Sequence, residues 1–537
     1  MTSRSFPRRV PSLAATCALL LLGCSGGSTL DGTGGSNGTG GSAASGGTTA
    51  RGGAPGSGGS TTSGGASGGS TGGIGSGGNT VGKGGTIGSG GARSSGGSVG
   101  SGGTTTPGGA TGSGGNSSPG GAMGSGGSSG TPPACDPSAA VAGAVVASPS
   151  GTGDACTVGS PCSLPTALGK AKGGVTVYLR GGKYDGSKSY LSVSGSGDAS
   201  NWAIIAAYPC ELPIVDLGAS GSIGVSGHHV SFRGIAAING SSGFGNNWTG
   251  GGTTTANGDL EFVNCIADMN SANGIAFRSA KGVHIKQCMT AHTGSSTTQS
   301  WSSGVDVFGA QGTYQDNIIE QNISFENIDN QEHTDGSGFI VDDIGTGVTF
   351  VNNIGFRNGG SCIRLTTTTG THIINNTCYG NGLDPKATGP STPDEIFFSS
   401  SDTTKGAVMY NNIAVATGKG GDTEAIFGSN GATLGNNVTN NTGTIDFWVD
   451  AAGTNPDFHL KSTAAAIIGQ GTTTEAPKED IGFDPKCITK KPPTGTDVQS
   501  WWLYSVDFDY IKGIGGIAQC FHPKARSGTP DIGAYAL

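Results

Sequence analysis

In the second half of the chain, apolar and polar residues alternate in short runs, and one phrase keeps returning: apolar, polar, apolar, any residue, Asn, Asn or Cys, apolar. Full copies are Leu260–Ile266, Val283–Met289, Val348–Ile354 and Thr371–Thr377, with a shortened copy at Val408–Ile413 and weaker ones at Gly312–Ile318 and Ala432–Val438. Alternation with a period of two predicts β-strands. The second residue of each pair forms a column of Cys265, Cys288, Asn317, Asn353, Asn376, Asn412 and Asn437, whose closest members are 23 residues apart. That spacing is one coil of a solenoid, and the longer intervals predict loops inserted into coils. The expected fold is all-β: a single right-handed parallel β-helix.

The Asn column has a physical reason. Asn tolerates left-handed bends, and side-chain amides one rung apart, about 4.8 Å, can hydrogen-bond along the stack. Cys265 and Cys288 fall in the same column and are expected to stack, bonded or not. A second phrase supplies the other main strand of each coil: Asn273–Arg278, Ser303–Phe308, Ser337–Asp342, Ser361–Leu365 and Asp394–Phe398. Upstream, Ser163–Lys172 reads as a short helix capping the open end of the core. Asn455–Leu460 and Pro530–Tyr535 read as a closing segment.

Composition divides the chain. Of 537 residues 106 are Gly, concentrated with Ser and Thr from Ser25 to about Pro133, where little apolar material offsets the entropy of ordering. This reads as a disordered tether at 24–133, a coil of about 60 Å mean span, ahead of the β-helix at 134–537. Residues 1–23 carry Arg4, Arg8 and Arg9 before the apolar run Ala18–Leu22, an export signal too short to span a bilayer. Leu21–Cys24 resembles a bacterial lipobox. That resemblance implies cleavage before Cys24, lipid on its thiol and, with Ser25 next, delivery to the outer membrane or cell surface. Membrane contact is then expected through the lipid anchor only, and the protein is expected to be a monomer. Ten cysteines beyond Cys24 suit several disulfides in an exported chain and show no zinc spacing. A formal net charge of -8 argues against a nucleic-acid surface. His228 and His229 read as opposite faces of a strand without partners, and Lys281 and Lys286 as solvated charges.

The strand period applied to the second phrase sends Ile275, Val305, Phe339, Ile363 and Ile396 inward. The outward residues then include Arg278, Asp306, Asp342 and Arg364, four charges on one face within four coils. Outward neighbours lie roughly 5 to 8 Å apart, close enough to share a ligand. Trp301, Phe308 and Phe397 lie alongside as rings suited to stack on sugars, and the loop Glu332–Asp335 adds His333 and Asp335, with Asp343 at the strand's end. Cross-rung salt bridges on a solvated face would explain such charges without function. In a chain only 12% charged, however, their gathering beside aromatic rings favours a binding strip for a long polymer of sugars.

The residues Ser302–Asp306, Asp335–Val341, Val351–Gly359 and Ile374–Asn381 resemble the core coils of the family-nine pectate lyases and their β-helix relatives. The resemblance implies β-elimination of a uronate polymer, an acidic polysaccharide, with Ca²⁺ on clustered Asp neutralising the carboxylate and a Lys or Arg removing the C5 proton. It also implies where this chain departs: Ile340 occupies the base-lysine position, and Ser302 and Ser303 replace paired calcium-binding Asp. The expected machinery is therefore Arg364 as base or carboxylate clamp, supported by Asp342 and Arg278. Trp301, Phe308, Phe397 and His333 would bind substrate. Asp306, Asp335, Asp342 and Asp343 would hold Ca²⁺. A glycoside hydrolase using the Asp306/Asp342 pair, or a non-catalytic carbohydrate-binding or adhesive protein, remains open on the same scaffold.

Overall fold

The computed structural model describes residues 135–537 except 141, 188–190, 247–257, 300, 309–315, 343–344, 388–393, 401–402, 420, 444 and 490–504. The expected export signal and tether, Cys24 and Asp343 lie outside the described residues. The described strands, mostly three or four residues long, stack into three parallel sheets. An 11-stranded sheet runs from Val145–Ala147 to Thr433–Gly435, a 9-stranded one from Leu191–Val193 to Ile426–Phe427, and a 10-stranded one from Gly182–Asp185 to Val438–Asn440. Each strand pairs with its counterpart one coil away, so the chain is a right-handed parallel β-helix.

The alternation seen in the sequence is what fills the interior. In the 11-stranded sheet Ile205, Phe232, Phe262, Ile285, Ile319, Phe350, Ile373 and Met409 stand in one register column, all fully buried. Phe232 and Phe262 stack face to face at 5.4 Å. The helix expected at Ser163–Lys172 is real but shorter, Leu164–Leu168, stopped at Gly169. The Ser163 side chain caps it, and Leu164, Ala167 and Leu168 close the core at the N-terminal end.

The polar column forms as expected, with one correction. Asn322, Asn353, Asn376, Asn412 and Asn437 each accept, through the side-chain oxygen, from the backbone N–H of the member before it at 2.8–3.0 Å. From Asn322 onward the side-chain amides also donate up the stack at 2.9–3.0 Å. Asn317 is not a member. It begins the strand Asn317–Glu320 and accepts from the N–H of Val283. Every true member lies three residues beyond an inward strand residue, as Asn322 lies beyond Ile319 and Asn353 beyond Phe350, whereas Asn317 precedes Ile319. Cys265 and Cys288 do stack, as free thiols, with the Cys265 N–H donating to Cys288 Sγ at 3.3 Å. The first residue of each pair takes the left-handed bend, from φ +53° at Asn375 to +59° at Asn411.

A second ladder, absent from the sequence reading, runs five residues further on. Asn327 donates to Asn358 at 2.9 Å and Asn358 to Asn381 at 2.8 Å, and Asn381 ends on the Glu395 carboxyl at 2.6 Å.

The C-terminal segment does more than close the helix: it covers the outer face of the 10-stranded sheet. Ile467, Ile481, Phe483, Ile511 and Tyr535 pack on Ile266, Met289, Phe325, Ile354 and Phe356. The bend residues hold it from beside, since Asn352, Asn375, Asn411 and Asn436 donate to the carbonyls of Glu479, Asp531, Thr472 and Gln470. Beneath it lies a buried charged line. His292 bonds Asp268 at 2.6 Å and Glu326 at 3.2 Å, Arg357 approaches Glu326 at 3.8 Å, and Asp268 also accepts from the N–H of Val506. Disulfides join Cys135 to Cys210, Cys156 to Cys162, Cys362 to Cys378 and Cys487 to Cys520. His228 and His229 do not lie on opposite faces of a strand. His229 bends left-handed at φ +52° just before the strand that starts at Val230, which brings the rings into contact.

Candidate functional site

The outer face of the 9-stranded sheet carries the charged strip in the expected register. Parallel pairing aligns Ala276, Asp306, Ile340, Arg364, Phe397 and Phe427 in one outward column, and Arg278, Phe308 and Asp342 in the next. Their inward alternates Val305, Phe339, Ile363 and Ile396 are fully buried, which is what holds the other residues outward.

The centre of the strip is roofed rather than open. Ile340 is 1% exposed, and Asp306 and Phe397 are buried. The turn before the strand Phe339–Asp342 folds across Arg364. Its guanidinium donates to the Thr334 carbonyl and pairs with Asp335 at 3.2 Å, while Arg364 keeps 12% of its side-chain exposure. Gly336 ties the same turn to the coil below by donating to the Ser302 carbonyl at 2.7 Å.

Several polar atoms here have no hydrogen-bond partner among the described residues although they are buried: Asp306 Oδ1, Arg364 Nε and Thr366 Oγ1 along the strip, and Ser302 Oγ and Ser337 Oγ in the segments leading into its strands. Buried polar groups are nearly always satisfied, so a local concentration of unmet ones marks where a ligand or water completes the set. Burial pushes the Asp306 carboxyl well above the usual carboxylate range, and Asp342 and Asp335 push it further. Burial likewise raises Asp335 to about 7, against the pull of Arg364. At neutral pH Asp306 is therefore held towards its protonated form, while Asp335, poised between its two forms, offsets part of the Arg364 charge.

The other expected residues fall into distinct roles. Arg278 lies over the Phe308 ring at 5.9 Å, in the column beside that of Arg364. Phe397 is sandwiched, with Arg364 5.5 Å from its centroid and Phe427 stacked on it at 5.2 Å. The ring that faces solvent is therefore Phe427, which continues the column in the last coil. Trp301 stands 61% exposed at the turn before Ser302. His333 bonds Asp384 at 2.8 Å, a partner that sequence reasoning missed because it lies 51 residues away in a turn with no repeat of its own.

Ca²⁺ does not fit the described carboxylates. No three His, Cys, Asp or Glu side chains among the described residues are placed to hold a metal ion, and Asp335 is engaged by Arg364. A second acidic group, Asp394, Glu395 and Asp422, closes the upper asparagine ladder. Burial raises all three carboxyls, and Glu395 and Asp422 share a hydrogen bond.

No family model and no curated protein matches the chain. Among solved structures it is similar to pectate lyase Pel9A, at 14% identity and a TM-score of 0.43, over 63% of this chain and 94% of that one. It is similar to a rhamnogalacturonan lyase at 16% identity and 0.32, over 51% and 74% of the two chains. It is similar to PfbA, a surface adhesin of Streptococcus pneumoniae, at 10% identity and 0.31, over 53% and 75%. These likenesses describe the fold alone.

Proposed function

We propose that the Asp306–Arg364 strip binds a uronate-containing polysaccharide and cleaves it by β-elimination, with Arg364 pairing the carboxylate of the reacting sugar. The observation that carries this reading is a roofed polar site in which a guanidinium and a carboxyl, Arg364 and Asp306, keep buried polar atoms without hydrogen-bond partners among the described residues. A carboxylate brought to Arg364 meets a guanidinium with an unused Nε–H and finds Asp306 as a protonated neighbour able to donate rather than repel. Drawing charge off the carboxylate acidifies the C5 hydrogen, the requirement for elimination. No step runs through a metal. The lipid-bearing Cys24 and the tether would present this site at the cell surface, as a monomer.

One observation favours a second reading. Ile340, between Asp306 and Arg364, puts a fully buried apolar side chain at the centre of the strip, which suits glycan binding without turnover. Incubation with polygalacturonate, alginate and other uronate polymers separates the readings. Elimination releases unsaturated products, and Arg364→Ala is expected to lower kcat/KM about 100-fold. Reducing ends without unsaturation would point to hydrolysis, and retention on the polymer without any product to an adhesive surface.

A further inference from the structure

We infer that His333, oriented by Asp384, is the proton acceptor of this site. The inference rests on the β-elimination reading and supplies the group that reading lacks. In the column of Arg364, Ile340 is a hydrocarbon, Arg364 is a cation committed to Asp335, and Asp306 is buried; a neutral imidazole is a stronger base than the carboxylate of Asp342 in the next column, and His333 is the imidazole the turn over Arg364 supplies.

His333 is built differently. Its Nδ1 bonds Asp384 Oδ2 at 2.8 Å, and the other Asp384 oxygen accepts from the N–H of Lys386 at 2.8 Å. A carboxylate only accepts, so Nδ1 carries the hydrogen and the lone pair of the neutral ring lies on Nε2. The Asp384 side chain is 3% exposed and that of His333 16%, so the pair is anchored at its acid end and open at its imidazole end. The His333 backbone sits at φ +58° and donates to the Asp329 carbonyl at 3.1 Å. A side-chain-bearing residue persists in that conformation only where the surroundings fix it. The next two residues supply the carbonyl and the carboxylate that hold Arg364. One turn therefore carries both the imidazole and the partners of the guanidinium.

The coil between His333 and Asp384 is cut away to allow this. It carries Gly359 and Gly360, and a Cβ on Gly360 would lie 2.1 Å from the Asp335 carbonyl oxygen. The glycines let the two turns close on each other across an intervening rung.

In the step itself, His333 Nε2 takes the C5 proton and the C5–H electron pair becomes the C4–C5 double bond. The C4–O bond breaks, the departing oxygen is protonated by water, and the imidazolium returns its proton to solvent. Asp384 is a positioning residue.

The test uses the full chain with whichever of polygalacturonate or alginate the wild type converts to unsaturated product. His333→Ala is expected to lower kcat at least 100-fold with KM within about threefold, and added imidazole to restore part of the rate. His333→Gln should be equally inactive at an unchanged melting temperature, and Asp384→Asn, by favouring the wrong tautomer, should lower kcat by up to about 10⁴-fold. A His333→Ala enzyme within threefold of wild-type kcat overturns the inference and leaves the elimination reading standing. So does a loss that imidazole fails to rescue and that comes with a lowered melting temperature, the mark of a brace between turns. Absence of unsaturated product from the wild type overturns the elimination reading, and this inference with it.

Discussion

The asparagine column from Asn322 to Asn437 and the outward column from Asp306 to Phe427 climb the same coils at the same rise, and both are largely buried. In the first, each amide oxygen accepts from the rung below and each amide nitrogen finds an acceptor. In the second, Asp306 Oδ1 and Arg364 Nε are buried with no donor or acceptor among the described residues to meet them. A completed network specifies one structure, because every alternative strands a polar group. An incomplete one costs free energy that only an incoming partner recovers. The difference between the columns is thus between residues that hold the coil and residues that await something outside it.

The largest effect that could break this comparison comes from the satisfied column. Asn353→Ala strands the N–H and amide of Asn322 and the carbonyl of Ile319. Urea denaturation is expected to show a loss of about 4 kcal/mol, from two or three buried groups left unmet. Asp306→Asn, on the unsatisfied column, is expected to raise stability at neutral pH, because the amide needs no proton taken up on folding. Similar losses for both would erase the distinction.

A middle-sized effect is pH dependence. The folded-state values of Asp335, about 7, and Asp306 lie above the ordinary carboxylate value. Their stabilising contribution is full below that ordinary value and is lost as pH rises through the folded one. The denaturation midpoint should therefore decline between about pH 4 and 7, and Asp335→Asn should flatten that decline. His292 adds a higher leg. Burial pulls its imidazole down, but Asp268 and Glu326 more than reverse this and carry it to about 9. Stability it provides below pH 6.5 is lost as pH rises through that value, and His292→Gln should remove this leg alone. The smallest expected effect is that of a chelator. With no calcium step at the strip, EDTA should change turnover on the converted polymer by less than twofold; a larger loss would put a cation among the strip's partners.

How much of this was legible in the sequence follows from what repeats. The outward strip could be read residue by residue because strand parity is rigid. The first ladder could be read except at Asn317, where two Asn–Ile phrases share a coil and only the distance from an inward residue selects Asn322. The second ladder was missed although its +5 offset is regular, because Thr stands in for Asn at Thr293 and Thr417. The roofing of Arg364, the burial of Phe397 and the His333–Asp384 pair depend on turns whose lengths vary from coil to coil. No period in the chain encodes them.

The coil contacts span only a few dozen residues of sequence, whereas those of the C-terminal segment reach back far: Asn352 to Arg526 over 174 residues and Asp268 to Val506 over 238. Closing such loops is entropically dear until the rungs beneath exist as a ready surface. The tail is therefore a completion signal. As the chain emerges the solenoid can wind coil by coil, but the face from Ile266 to Phe356 stays bare until the segment that covers it arrives. A chain stalled before about Gln470, where the segment first meets the bend residues, would be wound but unsealed, and its bare apolar face would expose it to proteases and to other copies of itself.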